Sequence, residues 1–280
     1  MRGYNIMAKR LDKINKKAEI VNQAFWDEIA PVHYESYDIK KLKQGKSLID
    51  EIQKKEMGNV KDKSLLHLQC HIGTDSLSWA LEGAQVTGVD FSGESIKIAN
   101  ELKRRLGLKA RFIESNIYVL PDTLEEKFDI VYTSQGVLTW LKDIKEWGKI
   151  ISHYLKPDGI FYIMEIHPLL YIFDNDKQGE LKIKESYFPG KKPTLWDDDT
   201  PDYSDGEYIP KNPTYEWIWP LGEIVTSLIG AGLKIEFLHE HDRLFYKGLP
   251  DMVKDEEGWW FLPKYKGMLP LTFTIRAKKI

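Results

Sequence analysis

Cysteine is almost missing from this chain. Cys70 stands alone, which excludes an internal disulfide and leads us to expect a reducing, cytoplasmic setting. Charge of one sign is also lacking: the formal net charge is −3, so there is none of the basic excess that a nucleic-acid partner would require. No apolar run approaches membrane-spanning length. The basic N-terminal stretch MRGYNIMAKRLDKINKKAEI has no apolar segment of the kind that a secretory signal carries. Internal repeats and low-complexity tracts are absent as well. Glycine is scarce where an α/β protein most often uses it: LHLQCHIGTD, a strand running into a helix, contains only Gly73.

What is present is a regular alternation. SLLHLQ, QVTGVDF, KARFIESN, KFDIVYTS and IFYIMEIHP are apolar and rich in strand-forming residues, with KPDG as a turn before the last. Between them lie helical periods. TDSLSWALEG places Leu77, Ala80 and Leu81 on one face, and Ser92 can cap a helix carrying Ile96, Ala99, Leu102 and Leu106. Asp143 can cap IKEWGKIISHYL. After a less regular stretch, PLGEIVTSLIGAGLKIEFLHE gives helix, glycine and strand, and LPLTFTIRAKK a final strand. Strands alternating with helices predict right-handed βαβ units and an α/β fold, a doubly wound, mostly parallel seven-stranded sheet. Residues 1–59 read as an N-terminal helical lid segment with Ile20, Ala24, Phe25 and Ile29 on its apolar face. Residues 60–170 and 220–280 read as the core. Residues 171–219, aromatic and aperiodic, read as an inserted substrate cap expected to fold over the C-terminal strand ends, because nearly fifty structureless residues are unusual in a compact domain.

In a doubly wound sheet, ligands sit beyond the C-terminal strand ends beside the first strand. A dinucleotide there wants G-x-G-x-x-G so that its pyrophosphate can approach bare backbone. The run Gln69-Cys70-His71-Ile72-Gly73 lacks two of those glycines. S-adenosylmethionine has no phosphate but shares a ribose diol, which an acid ending the second strand can grip. Asp90 occupies that point in VTGVDFS.

Residues of about 60–170 resemble the class I S-adenosylmethionine-dependent methyltransferases of the small-molecule kind. The likeness rests on LLHLQCHIGTDSLSWA, VTGVDFS, FIESNIYVLP, FDIVYTSQGVLTWL and LKPDGIFYIMEIHP, in that order, and extends more weakly through EIVTSLIGAGLKIEFL. It implies that Leu68, Gln69, Cys70, His71 and Gly73 approach the methionine part of the cofactor. Asp90 would bind the ribose, with Phe91 against the adenine. Asn116 would bond the adenine amino group through its side-chain oxygen, Ile117 would line the adenine pocket, and Ser134 and Gln135 would lie nearest the sulfonium. The family usually has an acid at the position of His67 and glycines at those of Gln69 and His71; the changes remove a charge facing the cofactor's ammonium and raise the cost of positive φ.

Methyl transfer is an in-line displacement that needs alignment, exclusion of water and, for a protonated nucleophile, a base. Glu165 and His167, two apart at the end of the fifth strand, are the catalytic candidates, since a carboxylate can orient or activate an imidazole. Their bland alternative is a strand-end pair bonded to backbone. Trp26, Tyr34, Trp196 and Trp217 are candidates for the substrate pocket. The acids of WDDDTPDYSDGE read as a solvated loop and some of its aromatics as acceptor contacts. Asp174, Asp176, Gln178, Gly179 and Glu185 mimic a calcium loop without its helix, and His239 and His241 lack a third ligand, so no metal is expected. The expectation is a small-molecule methyltransferase with S-adenosylmethionine as cofactor. The alternatives are a NAD(P)-dependent oxidoreductase on the same architecture and a non-catalytic S-adenosylmethionine-binding protein. Oligomeric state is not readable.

Overall fold

The computed structural model describes residues 2–280 apart from Lys177, Pro189, Lys191 and Asp205, with backbone alone over 2–10. The chain begins with α1 (Arg2–Ser36), α2 (Ile39–Lys43) and α3 (Glu51–Met57). Then come β1 (Ser64–Leu68), α4 (Thr74–Leu81), β2 (Gln85–Asp90), α5 (Gly93–Leu106), β3 (Ala110–Glu114), β4 (Phe128–Ser134), α6 (Ile144–Tyr154) and β5 (Leu155–Ile166). A short hairpin of β6 (Thr194–Trp196) and β7 (Thr214–Glu216) precedes α7 (Leu221–Gly230) and β8 (Leu233–His241). A second hairpin, β9 (Val253–Lys254) with β10 (Trp260–Phe261), leads into β11 (Thr272–Lys279).

The main sheet has seven strands in the order β3-β2-β1-β4-β5-β11-β8. β11 runs antiparallel to both of its neighbours, and the other pairings are parallel. Central strands buried on both faces explain the near-continuous apolar runs read from the sequence. Alternation along β5 divides two cores. Phe161 and Ile163 join Trp147, Leu228 and Phe273 on one face, while Tyr162 and Met164 join Trp79, Tyr132 and Met57 on the other. Where a plain turn is expected at KPDG, β5 already pairs Leu155 with Phe128. The register then shifts before Ile130, and Asp158 takes a φ of 63°.

Caps act where the sequence places them. Ser92 Oγ accepts the Ser95 N–H, and Asp143 accepts those of Lys145 and Glu146. The phase of α1 departs from expectation. Ile20 is 70% exposed and Ala24 is exposed, whereas Ala18, Asn22, Phe25, Ile29 and His33 face inward. Two polar side chains on the buried face displaced the hydrophobic reading, because each meets a distant partner. Among the described residues, no helix is long and apolar enough to cross a membrane.

From the inserted segment, Tyr203 and Ser204 reach the cavity beyond the strand ends, and residues between 202 and 215 bond the second half of α1. Glu28 of α1 accepts from the Tyr208 hydroxyl at 2.8 Å and from the Lys211 and Asn212 N–H groups at 2.7 and 3.0 Å. Asn22 exchanges two bonds with the backbone of Tyr215.

Candidate active site

Beyond the C-terminal ends of β1, β2 and β4 lies a cavity of about 690 Å³. Its inner wall is the loop from Gln69 to His71, with Asp90, Phe91, Ser134 and Gln135. The loop is held in an unusual conformation: Gln69 and His71, where glycines would be the easy choice, take φ of 59° and 49°. Tertiary bonds hold them there. Gln69 Nε2 donates to the Val137 carbonyl at 3.2 Å, and the His71 N–H donates to Asp90 Oδ2 at 2.8 Å. The second Asp90 oxygen accepts from the Ser92 N–H at 2.9 Å. Burial pushes this carboxyl up to about 6, against the pull of those two N–H groups.

Fit to S-adenosylmethionine can be judged from unpaired atoms. Gln69 Oε1 and Gln135 Oε1 are both buried without a hydrogen-bond partner, and both residues line the cavity. Orphaned acceptors of this kind suit a ligand that brings N–H donors. Asp90 closes β2 and lines the same cavity. No run of bare glycine backbone offers itself to a pyrophosphate. The residues fit the sulfonium nucleoside.

Other expected contacts fall elsewhere. Leu68 and Ile117 are buried in the core, and Gly73 packs so closely that an added Cβ would meet the Phe112 ring at 2.8 Å. Asn116 is engaged on both sides, its Nδ2 donating to Glu19 at 2.9 Å and its Oδ1 accepting from the Tyr118 N–H. Here α1 lies across the strand ends, since Gln23 also donates to the Phe91 carbonyl at 2.8 Å and Glu19 pairs with Lys142.

The pair Glu165 and His167 is corrected outright: neither lines the cavity. Glu165 is 2% exposed, and its carboxylate accepts four backbone N–H groups, from Gly136, Val137, Leu138 and Ile166, at 2.5 to 3.1 Å. It clamps the loop after β4 and has no lone pair directed at an acceptor. His167 turns to the other side, its Nδ1 accepting from the Leu169 N–H and its Nε2 3.0 Å from Glu240 of β8. Among the aromatic candidates, Trp26 lines the cavity. Tyr34 instead accepts from Arg105, Trp196 is 41% exposed, and Trp217 is buried with its backbone N–H on the Thr139 carbonyl.

Sequence reasoning missed the most connected group in the site. Asp202 of the inserted segment lies 3.0 Å from His33 Nε2, and His33 Nδ1 meets both His71 Nε2 at 2.9 Å and the Tyr37 hydroxyl at 3.1 Å. Tyr37 in turn bonds the Tyr203 hydroxyl at 2.8 Å. Tyr37 and Tyr203 line the cavity, and His33 is fully buried. Burial pushes the Asp202 carboxyl up, but its bonds to His33 and Ser204 outweigh that and hold it below the usual carboxylate range. The ionised carboxylate therefore accepts from Nε2–H and leaves Nδ1 as an acceptor. Burial pushes both tyrosines up, so they stay protonated. The outer wall is Phe245, Tyr246 and Trp260, with Lys247 and Lys254 each about 5.9 and 5.8 Å from the Trp260 ring. The acids Asp197, Asp198 and Asp199 are exposed, and Asp205 lies outside the described residues.

Comparison with known proteins follows the geometry. The family described as Methyltransferase domain matches residues 66–161. A ubiquinone biosynthesis O-methyltransferase of Serratia proteamaculans is 27% identical over 154 residues, covering 54% of this chain and 59% of that protein. A malonyl-[acyl-carrier protein] O-methyltransferase of Bacillus anthracis is 30% identical over 135 residues, covering 47% and 48%. The chain thus spans between about half and three-fifths of these relatives. Among solved structures, an S-adenosylmethionine-dependent methyltransferase of Clostridium acetobutylicum superposes with a TM-score of 0.53 at 18% identity, covering 99% of this chain and 98% of that one. One from Mesorhizobium loti gives 0.54 at 17%, covering 81% and 96%. Residues 66–161 match a methyltransferase domain, and the chain as a whole shares the fold of S-adenosylmethionine-dependent methyltransferases.

Proposed function

We propose that this chain transfers a methyl group from S-adenosylmethionine to an oxygen of a small, cytoplasmic acceptor with an apolar or aromatic body and an anionic group. The observation that carries this reading is the single cavity that joins the Gln69–His71 loop and Asp90 to a wall of aromatic rings flanked by lysines. Two relatives named as O-methyltransferases support an oxygen nucleophile.

S-adenosylmethionine, when bound, supplies an activated methyl on sulfur. Asp90 would accept from the ribose hydroxyls, Phe91 would face the base, and Gln69 and Gln135 would take N–H groups of the amino-acid end. Tyr203 and Tyr37 stand at the acceptor side. A proton leaving the acceptor oxygen passes through their hydroxyls to His33 Nδ1, and Asp202 holds the resulting imidazolium. Residues 171–219 act as the cap and 1–59 as the lid that exclude water, with 60–170 and 220–280 as the core.

The test is incubation with methyl-13C S-adenosylmethionine and a fractionated metabolite extract, read by mass spectrometry. Labelled products in the acidic, aromatic fractions are expected. Binding of the cofactor with no labelled product from any fraction would overturn the enzymatic reading in favour of a non-catalytic binder.

A further inference from the structure

Three carboxylates line the cavity, and they differ in how much of their capacity is spent. Asp90 has an N–H on each oxygen. Asp38 sits at the rim, paired with Lys41 at 3.0 Å. Asp75, in the first turn of α4, accepts the Ser134 hydroxyl on Oδ2 at 2.8 Å, and its Oδ1 has no partner among the described residues. Asp75 is therefore the cavity carboxylate with one oxygen wholly unpartnered among the described residues, whereas Asp90 keeps one lone pair on each oxygen for the ribose hydroxyls.

Its surroundings are arranged in one direction. His67 Nδ1 meets Ser76 Oγ at 2.8 Å and its Nε2 meets Ser134 Oγ at 3.2 Å. Burial drives the His67 imidazole down to about 3, so the ring is neutral and does not discharge its neighbour. With Ser134 donating to Asp75, it accepts from His67 Nε2–H, and Ser76 donates to Nδ1. Ser134 and, at 3.5 Å, the Tyr132 hydroxyl meet Asp75 Oδ2 directly, while His67 and Ser76 hold Ser134 in place; burial pushes the Asp75 carboxyl up, so its charge lacks compensation until a cation enters. Two further acceptors, Gln69 Oε1 and Gln135 Oε1, line the same cavity without partners.

The methionine end of the cofactor carries a primary ammonium with three N–H donors and a full positive charge. A cation entering a largely buried site needs a counter-charge and an acceptor for each donor, or its desolvation is uncompensated. We propose that Asp75 is the counter-ion for that ammonium, with Gln69 and Gln135 accepting its other N–H groups, so that this site grips the amino-acid end of S-adenosylmethionine and S-adenosylhomocysteine. The inference rests on S-adenosylmethionine being the cofactor.

Calorimetry on the 280-residue chain tests it with three ligands: S-adenosylmethionine, S-adenosylhomocysteine, and 5′-methylthioadenosine, which keeps the nucleoside and lacks the amino-acid end. Asp75→Asn keeps an acceptor for Ser134 and removes the charge. It should weaken both amino-acid-bearing ligands about 10- to 100-fold, the loss expected for a charge-assisted bond, and leave methylthioadenosine unchanged. His67→Asp placed in the Asp75→Asn background returns a carboxylate to the same cluster and should recover part of the loss. Equal weakening of all three ligands would mean general damage and would overturn the assignment. Unchanged S-adenosylmethionine affinity would overturn it too, while leaving the cofactor intact as a conclusion. Failure of the unmodified chain to bind any of the three would overturn the cofactor itself.

Discussion

Replacing Glu165 by Gln separates a structural carboxylate from a catalytic one. In the structure each oxygen accepts two backbone N–H groups: Oε1 those of Gly136 and Ile166, Oε2 those of Val137 and Leu138. An amide can keep one pair and must turn its own NH2 against the other. Two buried N–H groups then lose their acceptor, at roughly 1–3 kcal/mol each. Some of that is recovered as the loop after β4 shifts towards water, which leaves a destabilisation of about 2–4 kcal/mol. Unfolding entropy near 2.1 cal/mol/K per residue gives about 0.6 kcal/mol/K for 280 residues, so the melting temperature should fall by roughly 3–7 °C. Cofactor affinity should fall as well, because Gly136 and Val137 line the cavity. Differential scanning fluorimetry and calorimetry read both effects. A variant that melts within a degree of the parent, binds cofactor normally and yet no longer transfers methyl groups would show that Glu165 acts on the acceptor, and the clamp assignment would be wrong.

Asp90 titrates near 6, above an ordinary carboxylate, so its charge opposes folding above about pH 6 and that penalty is relieved as pH falls towards roughly 4. Cofactor affinity should decline over the same window, since the protonated acid is a poorer acceptor for the ribose; the decline should vanish in Asp90→Asn, and a pH-independent affinity in the parent would refute the ribose role. Asp202→Asn removes the acceptor of His33 Nε2–H and should make the segment around position 202 several-fold more sensitive to limited proteolysis, with a fall in kcat as the imidazolium loses its counter-charge; no change in either measurement would sink the relay. Gly73→Ala forces a φ of 76° on alanine and drives its Cβ to 2.8 Å from Phe112 and 2.9 Å from Ala99, so chemical denaturation should show a loss of about 2–4 kcal/mol.

The sheet was legible because its strands are buried on both faces and its helices on one, so that period and composition carry the assignment. The caps at Ser92 and Asp143 are local events and read equally well. Contacts made at long range did not. Asn22 and His33 sit on the buried side of α1 for partners 193 and 169 residues away, and nothing near them in sequence announces it. Glu165 was read as facing the crevice from its strand-end position, yet the backbone donors of the next loop compete for the same carboxylate and win. The segment after β8 has no period at all. It nevertheless supplies Phe245, Tyr246 and Lys247 to the cavity, and Lys254 and Trp260 from a hairpin whose strands are two residues each, too short to leave a pattern. Gln69 and His71 show the reverse case. Their side chains argued against a tight loop, and tertiary bonds nevertheless hold both at positive φ.

The placement of α1 has a consequence in time. One helix touches the nucleoside side through Glu19, Gln23 and Trp26 and holds the cap through Asn22, Glu28 and His33. On the proposed reading, moving the inserted segment would therefore disturb the wall beside Asp90 and Phe91, and the two ways into the cavity would share a post. Acceptor arriving first would brace that post and bar the nucleoside. Turnover should follow a compulsory sequence, cofactor entering first and S-adenosylhomocysteine leaving last, with product inhibition competitive only against S-adenosylmethionine.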